Sequence, residues 1–401
     1  MGVRVPAIVN PDMLVWAREE AGYSEKEAAE RAKVTIEKLR SWERNETQPT
    51  LRQAELLARI YDRAFSLFSL PTPPQEPPLS AEYRHLPGVK PGGEPPDLRR
   101  AFRRLVHRRR LALYLFEELG TDPPDFPIRA HLREEIEELG RRVRAMLEVS
   151  LETQFGWRSE FAAFRAWRAA VEHLGVLVCQ MPGVSIDDLR GTSIVHFPLP
   201  VIGVSSKELP LSKPFTLIHE LAHLALAASE EERPASEEKR DGPSWLEVER
   251  YCESVAGAVL MPPEAIESDR NIAAQRNSRS WTVSGMRSVA KHFKATPTAV
   301  ATRLLRIGIM SPSAYTRWKA DWAKYTNEHP GGPSFGIATQ AEKAVNRNGP
   351  LFTSLVLSAL SSDRITSVDA CHYLNLGFEH VETLRRGWIE TPMGLASAVG
   401  E

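Results

Sequence analysis

The spacing of apolar positions divides the chain into stretches of different character. Between residues 10 and 70, Leu14, Ala17, Ala28, Ala29, Ala32, Leu39, Trp42, Leu57 and Ile60 fit the buried faces of four or five short helices. Ser24 with Glu27, and Thr50 with Gln53, have the spacing of capping boxes. Asn45 falls where a helix must end in a left-handed residue. Residues 98–119 read as an Arg-rich helix with Leu105, Leu111, Leu115 and Leu119 as its apolar side, and 129–148 as a second charged helix. A helix over 158–174, closed by Gly175, gives way to short β-rich runs at 176–179, 193–195 and 201–204. Residues 212–228 predict a long helix that is apolar nearly all round, and 245–260 another. The segments 282–308 and 350–386 are helical by the same criterion.

These elements predict a multidomain, mainly α protein. An N-terminal all-α bundle covers 10–70 and a Pro/Gly-rich linker covers 71–97. A charged helical segment follows over 98–150, then a central α+β domain with a small sheet over 151–270, and a helical C-terminal region over 280–401. A length of 401 residues exceeds what one core usually serves.

Charge narrows the partners. With 51 basic and 52 acidic residues the formal net charge is -1, so the whole molecule has no field that draws it to nucleic acid or to a membrane. Arg99, Arg100, Arg103, Arg104, Arg108, Arg109 and Arg110 form a basic block, while 230–241 is mostly acidic. The block could meet nucleic acid, but Glu117, Glu118, Glu134, Glu135, Glu137 and Glu138 follow closely, and pairing between the two charged helices is the expected use. Three cysteines are too few and too scattered for a disulfide framework. No signal peptide, myristoylation signal or membrane-spanning run is read, so the expectation is a cytoplasmic protein without a membrane partner.

The chemistry concentrates in His219-Glu220-Leu221-Ala222-His223, an H-E-x-x-H sequence inside the apolar 212–228 helix. Residues four apart share one helix face, so the two imidazoles can bind a single Zn²⁺. Glu220 then lies beside the metal, placed to take the proton of a water that the metal has acidified. A helix buried all round needs a partner for its polar groups, which a metal supplies. A third ligand is expected from the following helix, where Glu249 and Glu253 share a face and Glu247 sits roughly opposite. One of the pair can ligate while the other hydrogen-bonds a ligating histidine. Tyr251, His196 and His292 are the residues of the right type to stabilise an oxyanion, each with a structural alternative.

The run Phe215-Thr216-Leu217 before His219, the E-x-x-C-E of 249–253, and Ala256-Gly257-Ala258-Val259-Leu260-Met261-Pro262 resemble the ImmA/IrrE family of metallopeptidases. By that resemblance the fold is zincin-like and the third zinc ligand is Glu249. The sequence departs from the family where Glu253 replaces the usual Asn and Val255 the usual Phe. The activity implied is zinc-dependent endopeptidase cleavage of a repressor or other regulatory protein, in stress response or mobile-element control.

Residues 12–63 resemble the Cro/repressor-type (XRE) helix-turn-helix family, with 24–32 as the first helix and 35–42 as the recognition helix. The resemblance implies DNA as a partner, with Thr35, Glu37, Lys38 and Arg40 facing the groove. Glu25 stands where the family often has Gln, and 11–65 holds ten basic and eleven acidic residues, which is electrostatically poor for DNA. A homodimer would still bind specifically. The second reading is therefore a DNA-binding regulator or antitoxin-like protein with a structural or inactive zinc site; Glu220 favours the enzyme, because a structural site has no use for it.

Overall fold

The structure, a computed structural model, describes residues 6–74, 94–229, 243–278, 280–329 and 338–390. Most of the expected 71–97 linker and the acidic 230–241 stretch lie outside these residues. The described residues fall into two compact units, one of residues 6–74 and 94–104 and one beginning at Leu105. The segment expected at 98–150 is divided between the units after Arg104, and its remainder shares the second unit with those expected at 151–270 and 280–401.

In the first unit, helices α1 (Pro11–Glu20), α2 (Glu25–Ala32), α3 (Ile36–Glu43) and α4 (Leu51–Tyr61) close over Met13, Leu14, Ala28, Leu39, Trp42, Leu57 and Tyr61. Both capping boxes form, each with the cap hydroxyl accepting an N3 amide and the N3 side chain accepting the cap amide. Asn45 takes the left-handed conformation that ends the turn after α3 (φ 59°). Beneath the helices, Arg18 Nε donates to Glu43 Oε1 at 2.8 Å, with both side chains buried.

The basic block finds partners different from those expected. It opens the helix α5 (Pro96–Leu119). Arg99 and Arg103 donate to the carbonyls of Glu19 and Glu20 at 2.9 and 2.8 Å, at the end of α1. Arg100 and Arg103 donate to those of Ile60 and Tyr61 at the end of α4 (3.0 and 3.2 Å), and Arg104 pairs with Asp62. The last carbonyls of a helix have no partner inside it and carry its negative dipole end, so guanidinium groups satisfy both needs. Of the acids expected to pair with this block, three pair elsewhere: Glu134 with Arg142, Glu138 with Arg141 and Glu137 with Arg303.

The second unit is built on a three-stranded sheet of β1 (Leu177–Met181), β2 (Gly191–Ile194) and β3 (Val201–Ser205), in the order β1-β3-β2. β1 and β3 run parallel with Leu177 opposite Val201, and β2 runs antiparallel with Ile194 opposite Val201. The expected helix over 129–148 forms only as α6 (Ile136–Met146). Pro123, Pro124 and Pro127 lack amide donors and restrict their predecessors; the chain there forms neither helix nor strand, and Ala130 N–H bonds Ala225 O at 3.1 Å. Then come α7 (Leu151–Gly156), α8 (Glu160–His173), α9 (Lys213–Ala227) and α10 (Pro243–Leu260). Gly140 of α6 permits close contact with α10, since a β-carbon there would lie 2.7 Å from Ala258 Cβ.

After α10 the chain continues as α11 (Pro263–Ser268), α12 (Arg270–Ser278), α13 (Val283–Phe293), α14 (Pro297–Arg306) and α15 (Pro312–Glu328). The end of α10 is buried and its orphan carbonyls are met from three sides. Arg144 bonds Val259 O, Gln154 bonds Leu260 O, and Arg303 bonds Met261 O while forking onto Glu137 at 2.7 and 2.6 Å. Last come α16 (Gln340–Asn348), α17 (Pro350–Ser361), α18 (Ser367–Leu374) and α19 (Phe378–Glu390). They join the same unit: buried Arg168 donates to Asn346 O, Cys179 Sγ to Asn348 O, and Leu351 N–H donates to the carboxyl of Glu172, which burial raises to about 7. The three cysteines are free thiols. No helix of the described residues is long and apolar enough to cross a membrane.

Candidate metal centre

Helix α9 starts with Pro214 near its N-terminus and continues through Leu217, Ile218, Leu221, Ala222, Leu224, Ala225 and Leu226, all buried between the sheet, α8 and α10. A helix so enclosed fixes the direction of every side chain it carries. Its start is anchored by Lys213, whose Nζ donates to Gln180 Oε1 and Ser206 O, and by Thr216, which donates to buried Glu208 at 2.9 Å.

His219 and His223 lie one turn apart with Nε2 atoms 3.1 Å from each other. From α10, Glu249 places Oε2 3.4 Å from His219 Nε2 and Oε1 3.5 Å from His223 Nε2. Four donors set tetrahedrally at 2.0–2.1 Å around zinc lie about 3.4 Å apart. The His–His separation and the two His–Glu249 separations, which run to different oxygens of the carboxylate, are near that edge, and these residues are the three whose donor atoms converge as a metal group among the described residues. His223 is fully buried, while His219 and Glu249 keep 14% and 24% of their side chains exposed, which leaves the group one open side. Nitrogen and carboxylate donors with one side open suit Zn²⁺ with a fourth, exchangeable position.

Behind the donors, His223 Nδ1 is 3.4 Å from Cys252 Sγ, and its ring lies parallel to Trp245 with centroids 6.0 Å apart. His219 Nδ1 is buried and has no hydrogen-bond partner among the described residues. Glu220, next to His219 on α9, is 3% exposed and is not one of the converging donors. Its Cγ and Oε1 lie against Gly191 of β2, where any β-carbon would come within 3.1 Å of both.

Other candidates fall elsewhere. Glu253 is held by Arg306 of α14 rather than by a histidine of the cluster, which corrects its expected place beside the metal. Glu247 is exposed, as its face of α10 implies. His292 Nδ1 meets Asp269 Oδ2 at 2.8 Å and its ring packs on Phe155, and Tyr251 O–H donates to Glu134 O. Cys252 lies within the E-x-x-C-E stretch of 249–253, but neither that spacing nor the sequence around Gly191 marks either residue as a neighbour of the site.

In the first unit, Thr35 caps α3 by accepting from Lys38 N–H, and Glu37, Lys38 and Arg40 are exposed along that helix. Arg40 donates through Nε and Nη2 to Glu25 Oε2 at 2.9 and 2.6 Å. Lys38 Nζ donates to Thr47 Oγ1 and lies 5.9 Å from the Trp42 ring centroid.

Two family models match the chain. Residues 171–305 match the IrrE N-terminal-like domain of the peptidase family Peptidase_M78, and residues 14–68 match the helix-turn-helix family HTH_3. The first stretch takes in the sheet, α9, α10 and the helices through α14. No curated protein and no solved structure matches.

Proposed function

Because the chain joins a helix-turn-helix domain to an IrrE N-terminal-like peptidase domain, we propose that it is a zinc-dependent endopeptidase acting on a repressor or other regulatory protein and coupled to a DNA-binding module. The observation that carries the reading is the convergence of His219 Nε2, His223 Nε2 and the Glu249 carboxylate to within 3.5 Å of one another, with Glu220 beside them. His219, His223 and Glu249 would hold the ion. When bound, zinc supplies a Lewis acid that lowers the pKa of water to about 7 and polarises a carbonyl.

The protein's own groups do the rest. Glu220, buried and braced by Gly191, takes a proton from the attacking water and returns it to the leaving amide nitrogen, acting first as base and then as acid. Cys252 and Trp245 hold the His223 ring, so its Nε2 stays directed at the ion. Three exposed residues of α3, namely Glu37, Lys38 and Arg40, are the groove-facing candidates of the DNA module, with Thr35 at its cap.

The test is metal content of the purified chain beside His223→Ala and Glu249→Ala, together with cleavage of a peptide library by the wild type and Glu220→Gln. About one zinc per chain, weakened in both ligand variants, with cleavage lost but zinc kept in Glu220→Gln, supports the peptidase. Zinc without any cleavage leaves the regulator with a structural site.

A further inference from the structure

The second unit holds a groove of about 1170 Å³, larger than the roughly 300–1,000 Å³ that takes a small ligand. Phe215 and Thr216 of α9 line it, and they share a helix face with His219. Gly257 and Glu253 of α10 line it too, and they continue at four-residue spacing to Glu249. The groove therefore follows the same two faces that carry the metal donors. Its far wall comes from α13, α14 and the start of α8.

The charge of the lining is unbalanced. Three of its cations have carboxylates at hand: Arg303 has Glu137, Arg306 has Glu253, and Arg190 has Glu208 at 3.5 Å. Arg158, Arg287, Lys291 and Lys294 then face one further lining carboxylate, Glu160, among the described residues. Arg287 donates to the Tyr325 hydroxyl oxygen at 2.6 Å, with its guanidinium carbon 5.0 Å from that ring's centroid. The Lys294 ammonium is held below the usual lysine range by burial and then by Lys291. A concave wall of crowded cations concentrates anions in front of it.

The anion is of a particular kind. A nucleic acid carries a charge at every phosphate and would set some of them against Glu160, Glu208 and Glu253. A polypeptide carries its charges only where acidic side chains occur. Phe161, Phe215 and Trp322 add apolar surface, and Ser212, Ser284 and Ser288 add hydroxyls for backbone amides. We propose that this groove seats an acidic segment of the protein substrate, held along α9 and α10 on one side of the bond to be cut. The proposal rests on the peptidase reading above for the word substrate, and on the groove alone for the acidic ligand.

The two can be separated. Full-length Glu220→Gln protein is titrated into a short fluorescein-labelled peptide with glutamate at alternate positions, into its glutamine counterpart, and into a single-stranded oligothymidylate. Fluorescence anisotropy reads binding without cleavage. The glutamate peptide should bind at least about tenfold more tightly than the glutamine one, with the difference shrinking in salt. The preference should collapse when Arg158→Glu and Lys291→Glu are added, and shrink part-way with Arg158→Gln and Lys291→Gln, in variants whose circular dichroism matches the parent. Equal affinity for the two peptides, an unchanged preference in the variants, or tighter binding of the oligonucleotide overturns the proposal. Library cleavage by the wild type without acidic preference also overturns it, and leaves the peptidase reading standing. Acidic selectivity in a chain that neither binds zinc nor cleaves removes the peptidase reading and supports the ligand class of the groove.

Discussion

Gly191 of β2 and Glu220 of α9 are packed so closely that a β-carbon on the glycine would lie 3.1 Å from both Cγ and Oε1 of the glutamate, and 2.5 Å from Thr216 Cγ2. The strand backbone is thus the wall against which the proposed base is set. Gly191→Ala should push Glu220 aside while leaving His219, His223 and Glu249 in place. Displacement of a reacting group by about 1 Å can cost on the order of a hundredfold in rate. The expected outcome is a loss of that size in peptide cleavage with zinc content unchanged. Cleavage at the wild-type rate would show that the position of Glu220 does not depend on β2.

Cys252 supplies the neighbour of His223 Nδ1, at 3.4 Å and fully buried. A ligating histidine is oriented by what its second nitrogen touches, and loss of such a partner typically weakens metal binding about 10–100-fold. A thiol is a weak partner, so Cys252→Ala should fall near the lower figure and Cys252→Ser should bind zinc as the wild type does. Competition against a chromophoric chelator measures this. If alanine and wild type hold zinc equally, packing against Trp245 alone orients the ring.

The pairing of His219 with His223 was legible because helical spacing alone puts them on one face, and Glu249 followed from the resemblance in the next helix. Glu253 shares that face but stands about 6 Å further along the axis, and Arg306, remote in sequence, takes it. Sharing a face does not tell how far a side chain reaches. Gly191 and Cys252 were not legible, since their importance lies in which helix approaches them across the fold. The arginines of α5 were misassigned for a similar reason. The partners of Arg99, Arg100 and Arg103 include helix-end carbonyls 40 to 83 residues earlier, and backbone acceptors leave no mark on the side-chain pattern.

Lys213 gives stability a pH dependence. Burial lowers its pKa to about 8, against the opposing pull of Glu208, whereas the unfolded chain keeps it protonated to about 10.5. Between these values the unfolded state binds more protons, so stability rises with pH through that window and the group disfavours folding below it. The shift corresponds to something on the order of 3 kcal/mol. Lys213→Met should remove this rise and be more stable than the wild type near pH 7, less the hydrogen bonds to Gln180 and Ser206. Denaturant unfolding of both proteins from pH 7 to 10.5 tests it; parallel curves would mean that the lysine stays charged in the folded chain.

The last expectation concerns Arg40, which the family resemblance would turn toward DNA and the structure ties to Glu25. Both groups are exposed, with 45% and 37% of their side chains accessible, and the guanidinium holds the carboxyl of Glu25 below its ordinary range by hydrogen bonding. Exposed pairs of this kind contribute little to stability, about 0–1 kcal/mol, so Glu25→Gln should leave the unfolding midpoint nearly unchanged. Its effect should appear in DNA binding instead. A released Arg40 can neutralise one phosphate, and each such contact steepens the log–log salt dependence by about 0.9. Duplex binding by Glu25→Gln should therefore be tighter at low salt and fall more steeply as salt rises. Equal slopes for the two proteins would take Arg40 away from the phosphates. If neither binds duplex DNA at low salt, α3 serves as a contact surface for another protein, and the Glu25–Arg40 pair is part of what that partner meets.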